Sequence, residues 1–288
     1  MNGILIIDKP AGWTSMDVCA KLRGAFHEKR VGHGGTLDPM ATGVLPVFLG
    51  RATRAVEYAT DSDKEYVAGL KLGVITNTQD TTGTVLEERP VTVGRTALDA
   101  LLPRFLGEQE QVPPMYSAIK KDGKKLYELA RKGIEVERKP RKIVIKELEI
   151  TNCIDTSTYE LRVFCSKGTY VRALCHDIGQ ALGCGAAMCS LRRTRAAGYT
   201  LTDAVTLEEA LSTADPAALV RPVDTCFAEH PAVTIDGRAL FRAKNGGSFP
   251  WNGPEGFYRV YGPAGDFLLL GECRDGLMKT KKSFFEVP

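Results

Sequence analysis

Between Val31 and Leu45 the chain reads Val-Gly-His-Gly-Gly-Thr-Leu-Asp-Pro-Met-Ala-Thr-Gly-Val-Leu, a stretch that no uninterrupted helix can accommodate. Gly32, Gly34, Gly35 and Gly43 permit tight backbone turns, and Pro39 fixes φ directly after Asp38. The segment predicts a rigid loop presenting one carboxylate, Asp38, between an amphipathic stretch and an apolar run. An ordinary Gly-rich turn, with Asp38 making an Asx-turn, is the plainer reading. Four glycines, a histidine and a hydroxyl gathered around one acid favour the presenting loop.

The flanking sequence predicts the scaffold. Ile4-Leu5-Ile6-Ile7 reads as a strand, closed by a turn at Asp8-Lys9-Pro10-Ala11-Gly12. Thr14 or Ser15 can cap a helix whose apolar face is Val18, Leu22 and Phe26. Val44 to Gly50 is apolar at nearly every position, as in a strand buried on both faces. A short helix is expected over Arg51 to Thr60. Lys64 to Gly73 alternates, with Tyr66, Ala68, Leu70 and Leu72 on one face. Thr76 to Gly83 reads as an exposed polar loop, and Leu98, Leu101, Leu102 and Phe105 mark a helix ended by Gly107.

Further on, strands are expected over Lys142 to Thr151, Tyr159 to Cys165 and Ala186 to Thr194, and helices over Ala173 to Leu182 and Asp203 to Ser212. Pro216 to Pro231 reads as a connection, followed by short strands separated by Asn245-Gly246-Gly247, Gly253-Pro254 and Gly262 to Gly265. The expectation is an α+β fold with a mixed or antiparallel central sheet and a small all-β module. The domains divide as 1–228 and 229–288.

With 288 residues, 43% of them hydrophobic, the chain can bury a substantial core. No apolar run approaches the roughly 18 residues of a membrane span, and the first residues lead into a strand, so a soluble cytoplasmic protein is expected. Eight cysteines show no C-x-x-C pair and, with only four histidines, the chain lacks the tight spacings of zinc ligands, so no metal, cofactor or disulfide is expected. Net charge is +3, but Lys120 to Lys142 alone carries +6, leaving −3 for the rest. Such a segment suits a polyanion, or is simply a solvated charged helix and hairpin.

The loop from Gly32 to Leu45 resembles, position by position, the catalytic motif G-H-x-G-T-L-D-P-x-A-x-G-V-L of the tRNA pseudouridine synthases of the TruB type. Other blocks agree: Lys9-Pro10-x-Gly12-x-x-Ser15, Lys64-x-Tyr66, Gln111 to Lys120, Ser166-x-Gly168-Thr169-Tyr170-x-Arg172, and Leu191-Arg192-Arg193-Thr194. The resemblance implies the pseudouridine synthase fold with a PUA-like C-terminal domain, and that Asp38 is the catalytic aspartate. It makes Tyr66 the ring that stacks on the flipped base, Leu191 part of the uridine pocket and Lys9 a supporting residue. Tyr170 joins the substrate site, and His33 enters the T-loop beside the extruded uridine. Alone, Lys9 would read as a surface lysine, Tyr66 as packing, Arg172 as a helix-start cation and His33 as a loop histidine.

An aspartate that must stay ionised in a closed pocket asks for a bidentate guanidinium beside it, the role assigned to Arg172. Asp38 then either attacks C1′ or removes a proton from C2′. Lys124, Lys125, Arg131 and Lys132 are expected on the RNA backbone. The implied substrate is uridine 55 in the T-arm of tRNA, acted on by a monomer without guide RNA or protein partner. A nucleic-acid-binding module or tRNA folding chaperone is the rival reading, but binding alone would need none of Asp38, Tyr66 and Arg172.

Overall fold

The computed structural model describes residues 1–285. Its centre is a ten-stranded mixed sheet. In chain order the elements that build the site are β1 (Gly3–Lys9), α1 (Ser15–Ala25), β2 (Val31–His33), β3 (Thr42–Leu49), α2 (Val56–Asp61), β4 (Lys64–Leu72), β5 (Val74–Thr76), β6 (Val85–Glu88), α3 (Arg95–Leu101) and β7 (Gly107–Gln111). They are followed by β8 (Lys120–Lys121), β9 (Lys124–Lys125), α4 (Leu126–Ala130), β10 (Arg141–Asp155), β11 (Thr158–Cys165), α5 (Val171–Ala181) and β12 (Ala186–Ala196). Across the sheet the order runs from the short strand Val205–Thr206 through β1, β3, β12, β4, β11 and β10 to β7.

Burial on both faces explains the apolar runs in β1 and β3. Leu5 and Ile7 of β1, with Leu45, Val47 and Leu49 of β3, join the main core, while Ile4, Ile6, Val44 and Phe48 point into a second core beneath the other face. Each strand has one side chain per face in turn, so neither can afford a polar alternation. Helix α1 packs Val18, Cys19 and Leu22 on the main core. Thr14 caps it through a reciprocal box with Asp17, a contact worth about 1 kcal/mol.

Several expectations need correction. Arg51 to Thr60 begins as a 3-10 turn, Gly50–Ala55, before α2. The loop from Thr76 to Gly83 is spanned by the β5–β6 hairpin and is not simply exposed: Thr76 and Asp80 are buried. Gly107 does not merely end a helix but opens β7, a polar edge strand paired with β10. Of Asp203 to Ser212 only Leu207–Ser212 is helical, because Val205 and Thr206 pair in parallel with β1 and Thr206 then caps the helix. The strand expected from Lys142 runs four residues further, to Asp155.

A second, five-stranded sheet begins at Ala232 and carries one helix, Gly237–Lys244, within what the sequence suggested would be all-β. The two sheets are not separately packed. Phe227, Leu270 and Phe284 share the second core with Ile4, Phe48 and Ala55, and Arg54 donates to Ser283 Oγ at 2.9 Å.

Candidate active site

Asp38 sits in the crossing from β2 to β3, held from several sides through its backbone. Leu37 N–H donates to Ser15 Oγ at 2.8 Å, and that hydroxyl donates back to the Leu37 carbonyl at 3.2 Å. On the other flank the Pro39 carbonyl accepts from Gly12 N–H at 2.8 Å and from Lys9 Nζ at 3.3 Å. Thus the Lys9-Pro10-x-Gly12-x-x-Ser15 block is the bracket that grips the aspartate loop. Gly34 is required by space: a Cβ there would lie 2.7 Å from the Ala59 Cβ.

Lys9 is fully buried, not a surface lysine, and spends its three donors on carbonyls, at 2.8 Å to Pro10, 2.6 Å to Trp13 and 3.3 Å to Pro39. Burial pushes its pKa down to about 8, with Asp38 opposing that fall. It adds positive potential near the carboxylate without pairing to it.

Arg172 meets Asp38 although they lie far apart in sequence. Its Nε forms an ion pair with Asp38 Oδ2 at 2.9 Å, with the Arg172 side chain 6% exposed and that of Asp38 35%. The expected bidentate fork on Asp38 does not form. The remaining donors reach the Thr78 carbonyl at 3.0 Å, the Tyr116 carbonyl at 2.8 Å and Asp80 Oδ2 at 3.5 Å. Two other loops thereby fix the guanidinium, leaving one edge for Asp38.

Sequence reasoning missed Asp80. Its carboxylate accepts from the Thr78 hydroxyl at 2.9 Å, from Thr82 N–H at 3.0 Å and from the Thr82 hydroxyl at 2.5 Å. A run of threonines about one Asp was the only available signal, and in a polar stretch it reads as a turn. Burial raises the pKa of Asp38; Arg172 opposes the rise, Asp80 adds to it and Lys9 again opposes it.

Tyr66 on β4 faces Arg193 on β12, and Ala68 faces Leu191. Tyr66 and Leu191 are both buried within the main core, so an aromatic and an aliphatic side chain lie on one sheet face beside the loop. Burial raises the Tyr66 hydroxyl pKa, with Arg193 opposing it. Tyr170 precedes α5; its N–H donates to Gln111 Oε1 at 2.8 Å and its carbonyl accepts from Gln111 Nε2 at 3.1 Å. This pair of hydrogen bonds with the Gln111 side chain of β7 sets the start of the helix that carries Arg172. His33 ends β2; its Nδ1 is buried without a hydrogen-bond partner among the described residues, and burial, helped by Arg193, holds its pKa below the usual value.

None of the four cations expected on RNA pairs with Asp38 or Asp80, whose described partner is Arg172. Lys124 and Lys125 belong to a hairpin turned by Asp122 and Gly123, both at positive φ, and Arg131 and Lys132 follow α4. Lys125 and Arg131 each lie 5.4 Å from the centre of the Tyr127 ring. Lys124, Arg131 and Lys132 are exposed. A separate groove of about 630 Å³ adjoins the aspartate loop, lined by residues including Trp13, Thr42, Arg192 and Leu211 but not Asp38.

A carboxylate steadied by a guanidinium, beside a buried tyrosine and leucine, can act on a sugar carbon whose base packs against the ring. Known proteins resemble this chain over nearly its whole length. The family model described as TruB family pseudouridylate synthase, N-terminal domain, matches residues 23–171, and the tRNA pseudouridylate synthase B C-terminal domain matches residues 172–228. The chain is 43% identical to the tRNA pseudouridine synthase B of Azoarcus sp. over 98% of its length and 94% of the relative's. It is 42% identical to that of Clostridium kluyveri over 99% and 100%. Among solved structures it resembles a chain of a Cbf5-Nop10-Gar1 complex, with a TM-score of 0.75 at 26% identity, covering 98% of this chain and 85% of that one. With motif, fold and near full-length similarity in agreement, the chain belongs to the TruB family of pseudouridine synthases.

Proposed function

We propose that this enzyme isomerises uridine 55 in the T-loop of tRNA, with Asp38 acting at the ribose of a uridine flipped out of its stack. Conversion of uridine to pseudouridine in tRNA is the activity of its family. The observation that carries the residue assignment is the 2.9 Å contact of Arg172 with a part-exposed Asp38, on a loop bonded at Leu37 and Pro39.

The reaction breaks N1–C1′, turns the uracil in place and joins C5 to C1′; the C5 proton leaves to solvent and N1 gains one. Attack of the Asp38 carboxylate on C1′ and removal of the C2′ proton both fit a single ionised acid. The detached base has to be retained while it turns, and the Tyr66 ring with Leu191 supplies an apolar wall for it. Tyr170 borders the same space, and His33, whose pKa burial holds below the usual value, meets the RNA beside the flipped nucleotide. Metal and redox cofactors have no part in this scheme.

In this reading the purified chain, as a cytoplasmic monomer without guide RNA or protein partner, is expected to release tritium from a [5-³H]uridine-labelled T-arm minihelix. Residues 1–228 perform catalysis and 229–288 add RNA contacts. Absence of release from a correctly folded T-arm, with release only from other RNAs, would overturn the T-loop assignment.

Lys124, Lys125, Arg131 and Lys132 neutralise phosphates of the bound arm. Replacing each by Gln should flatten the slope of log K against log [salt] by about 0.7 to 0.9 per lost contact. Titrations at several salt concentrations read this directly, and an unchanged slope would make the segment solvated surface.

A further inference from the structure

Arg193 is 1% exposed, among the largest side chains fully enclosed in the protein. No carboxylate of the described residues pairs with it. Its guanidinium instead donates to the carbonyls of Val44 at 2.7 Å, Gly35 at 3.1 Å and Thr36 at 3.5 Å, and lies against the Tyr66 hydroxyl. A buried charge served only by neutral acceptors is costly, and a well-packed apolar side chain would fill the same space at less cost. Packing alone therefore does not account for an arginine here.

The identity of the carbonyls does. Gly35 and Thr36 immediately precede the Leu37-Asp38 turn and Val44 follows it, so one side chain holds both ends of the loop that presents the carboxylate. The backbone of Arg193 makes the same connection, because it pairs with Gly43 in the parallel β12–β3 contact. Gly43 has a φ of +103°, and a Cβ there would stand 2.2 Å from the Arg193 carbonyl oxygen. Only glycine lets the loop dock so closely. On its other edge Arg193 pairs with Tyr66 of β4. One residue thus joins the aspartate loop to the strand that carries the tyrosine.

We infer that Arg193 is a positioning residue for the isomerisation, clamping the loop from Gly35 to Val44 so that Asp38 keeps a fixed reach relative to Tyr66. The inference rests on the assignment of Asp38 to the chemistry made above. Displacing a reacting group by about 1 Å costs on the order of 10²-fold in rate. Arg193→Met keeps the bulk but no donor. Arg193→Lys keeps the charge and can serve some of the carbonyls, though not as a planar fork.

Single-turnover tritium release at saturating tRNA should fall by roughly 10²-fold in Arg193→Met. The Kd for tRNA should stay near that of the parent, and Arg193→Lys should recover about tenfold of the lost rate. A parent-like saturating rate in Arg193→Met, or a loss confined to Kd, would overturn the inference. If Arg193→Met does not fold, Arg193→Lys decides: a slower rate at unchanged Kd supports the clamp, and a parent-like rate removes it. Loss of cooperative unfolding in both variants would assign Arg193 to structure alone. Asp38→Asn run alongside separates the two readings: turnover in that variant refutes the role of Asp38, whereas normal Arg193 variants beside an inactive Asp38→Asn refute only the clamp.

Discussion

Asp38→Asn is expected to lower the single-turnover rate by roughly 10⁴-fold or more while tRNA affinity stays near that of the parent. The amide keeps the volume of the carboxylate, and its oxygen can still accept from Arg172 Nε. Besides the Arg172 contact, the loop is held through the backbone of Leu37 and Pro39, so its shape should persist. What is lost is the charge that makes the group a nucleophile or a base. Turnover within tenfold of the parent would remove Asp38 from the chemistry.

The same substitution has an expected sign for stability. Burial raises the Asp38 pKa in the folded protein, so the folded state binds that proton more tightly than the unfolded chain does. Stability from this group is then fullest below the unfolded pKa and falls as pH rises towards the folded one. Above the unfolded carboxylate range this group therefore weighs against the fold, and Asp38→Asn should melt no lower than the parent there. An enzyme that keeps an acid in this condition gives up stability for a reactive group.

How much of this could be read from the sequence depended on whether local pattern and tertiary role agreed. At β3 they agree, since a strand between two cores must be apolar at both phases, and Val44 to Leu49 is. At β4 the alternation that placed Tyr66, Ala68, Leu70 and Leu72 together is the alternation that buries them. They disagree at Asp80, where a polar run that reads as surface turns inward to hold a guanidinium coming from α5. Gly107–Gln111 is illegible for another reason: an edge strand bonded by its backbone carries no apolar signature. Lys9 and Arg193 share a third obstacle. A buried cation satisfied by carbonyls looks, residue by residue, like any exposed one, and only the fold shows which backbone it grips.

Arg172→Met is expected to lower the single-turnover rate by about 10²-fold and to move the activity that remains towards alkaline pH. In the parent, burial and the charge of Asp80 raise the Asp38 pKa, while Arg172 and Lys9 oppose them. Without the guanidinium the opposition falls chiefly to Lys9, whose own pKa is already pushed down to about 8. The Asp38 pKa should therefore rise further, and since only the ionised form reacts, the acidic limb of the rate profile should shift upward. Arg172→Lys should recover part of the rate, because a point charge can approach Asp38 but cannot also serve Thr78, Tyr116 and Asp80 as the fork does. One complication is built into the site: removing Arg172 also strands Asp80, whose side chain is only 6% exposed. The double variant Arg172→Met, Asp80→Asn separates the effects, since it relieves the stranded carboxylate without returning the cation to Asp38. If the double variant regains the parent rate, Arg172 serves to neutralise Asp80 and its contact with Asp38 is incidental. If it stays slow at near-normal tRNA affinity, with its acidic limb still above the parent's, the 2.9 Å contact is what keeps Asp38 ionised for the reaction.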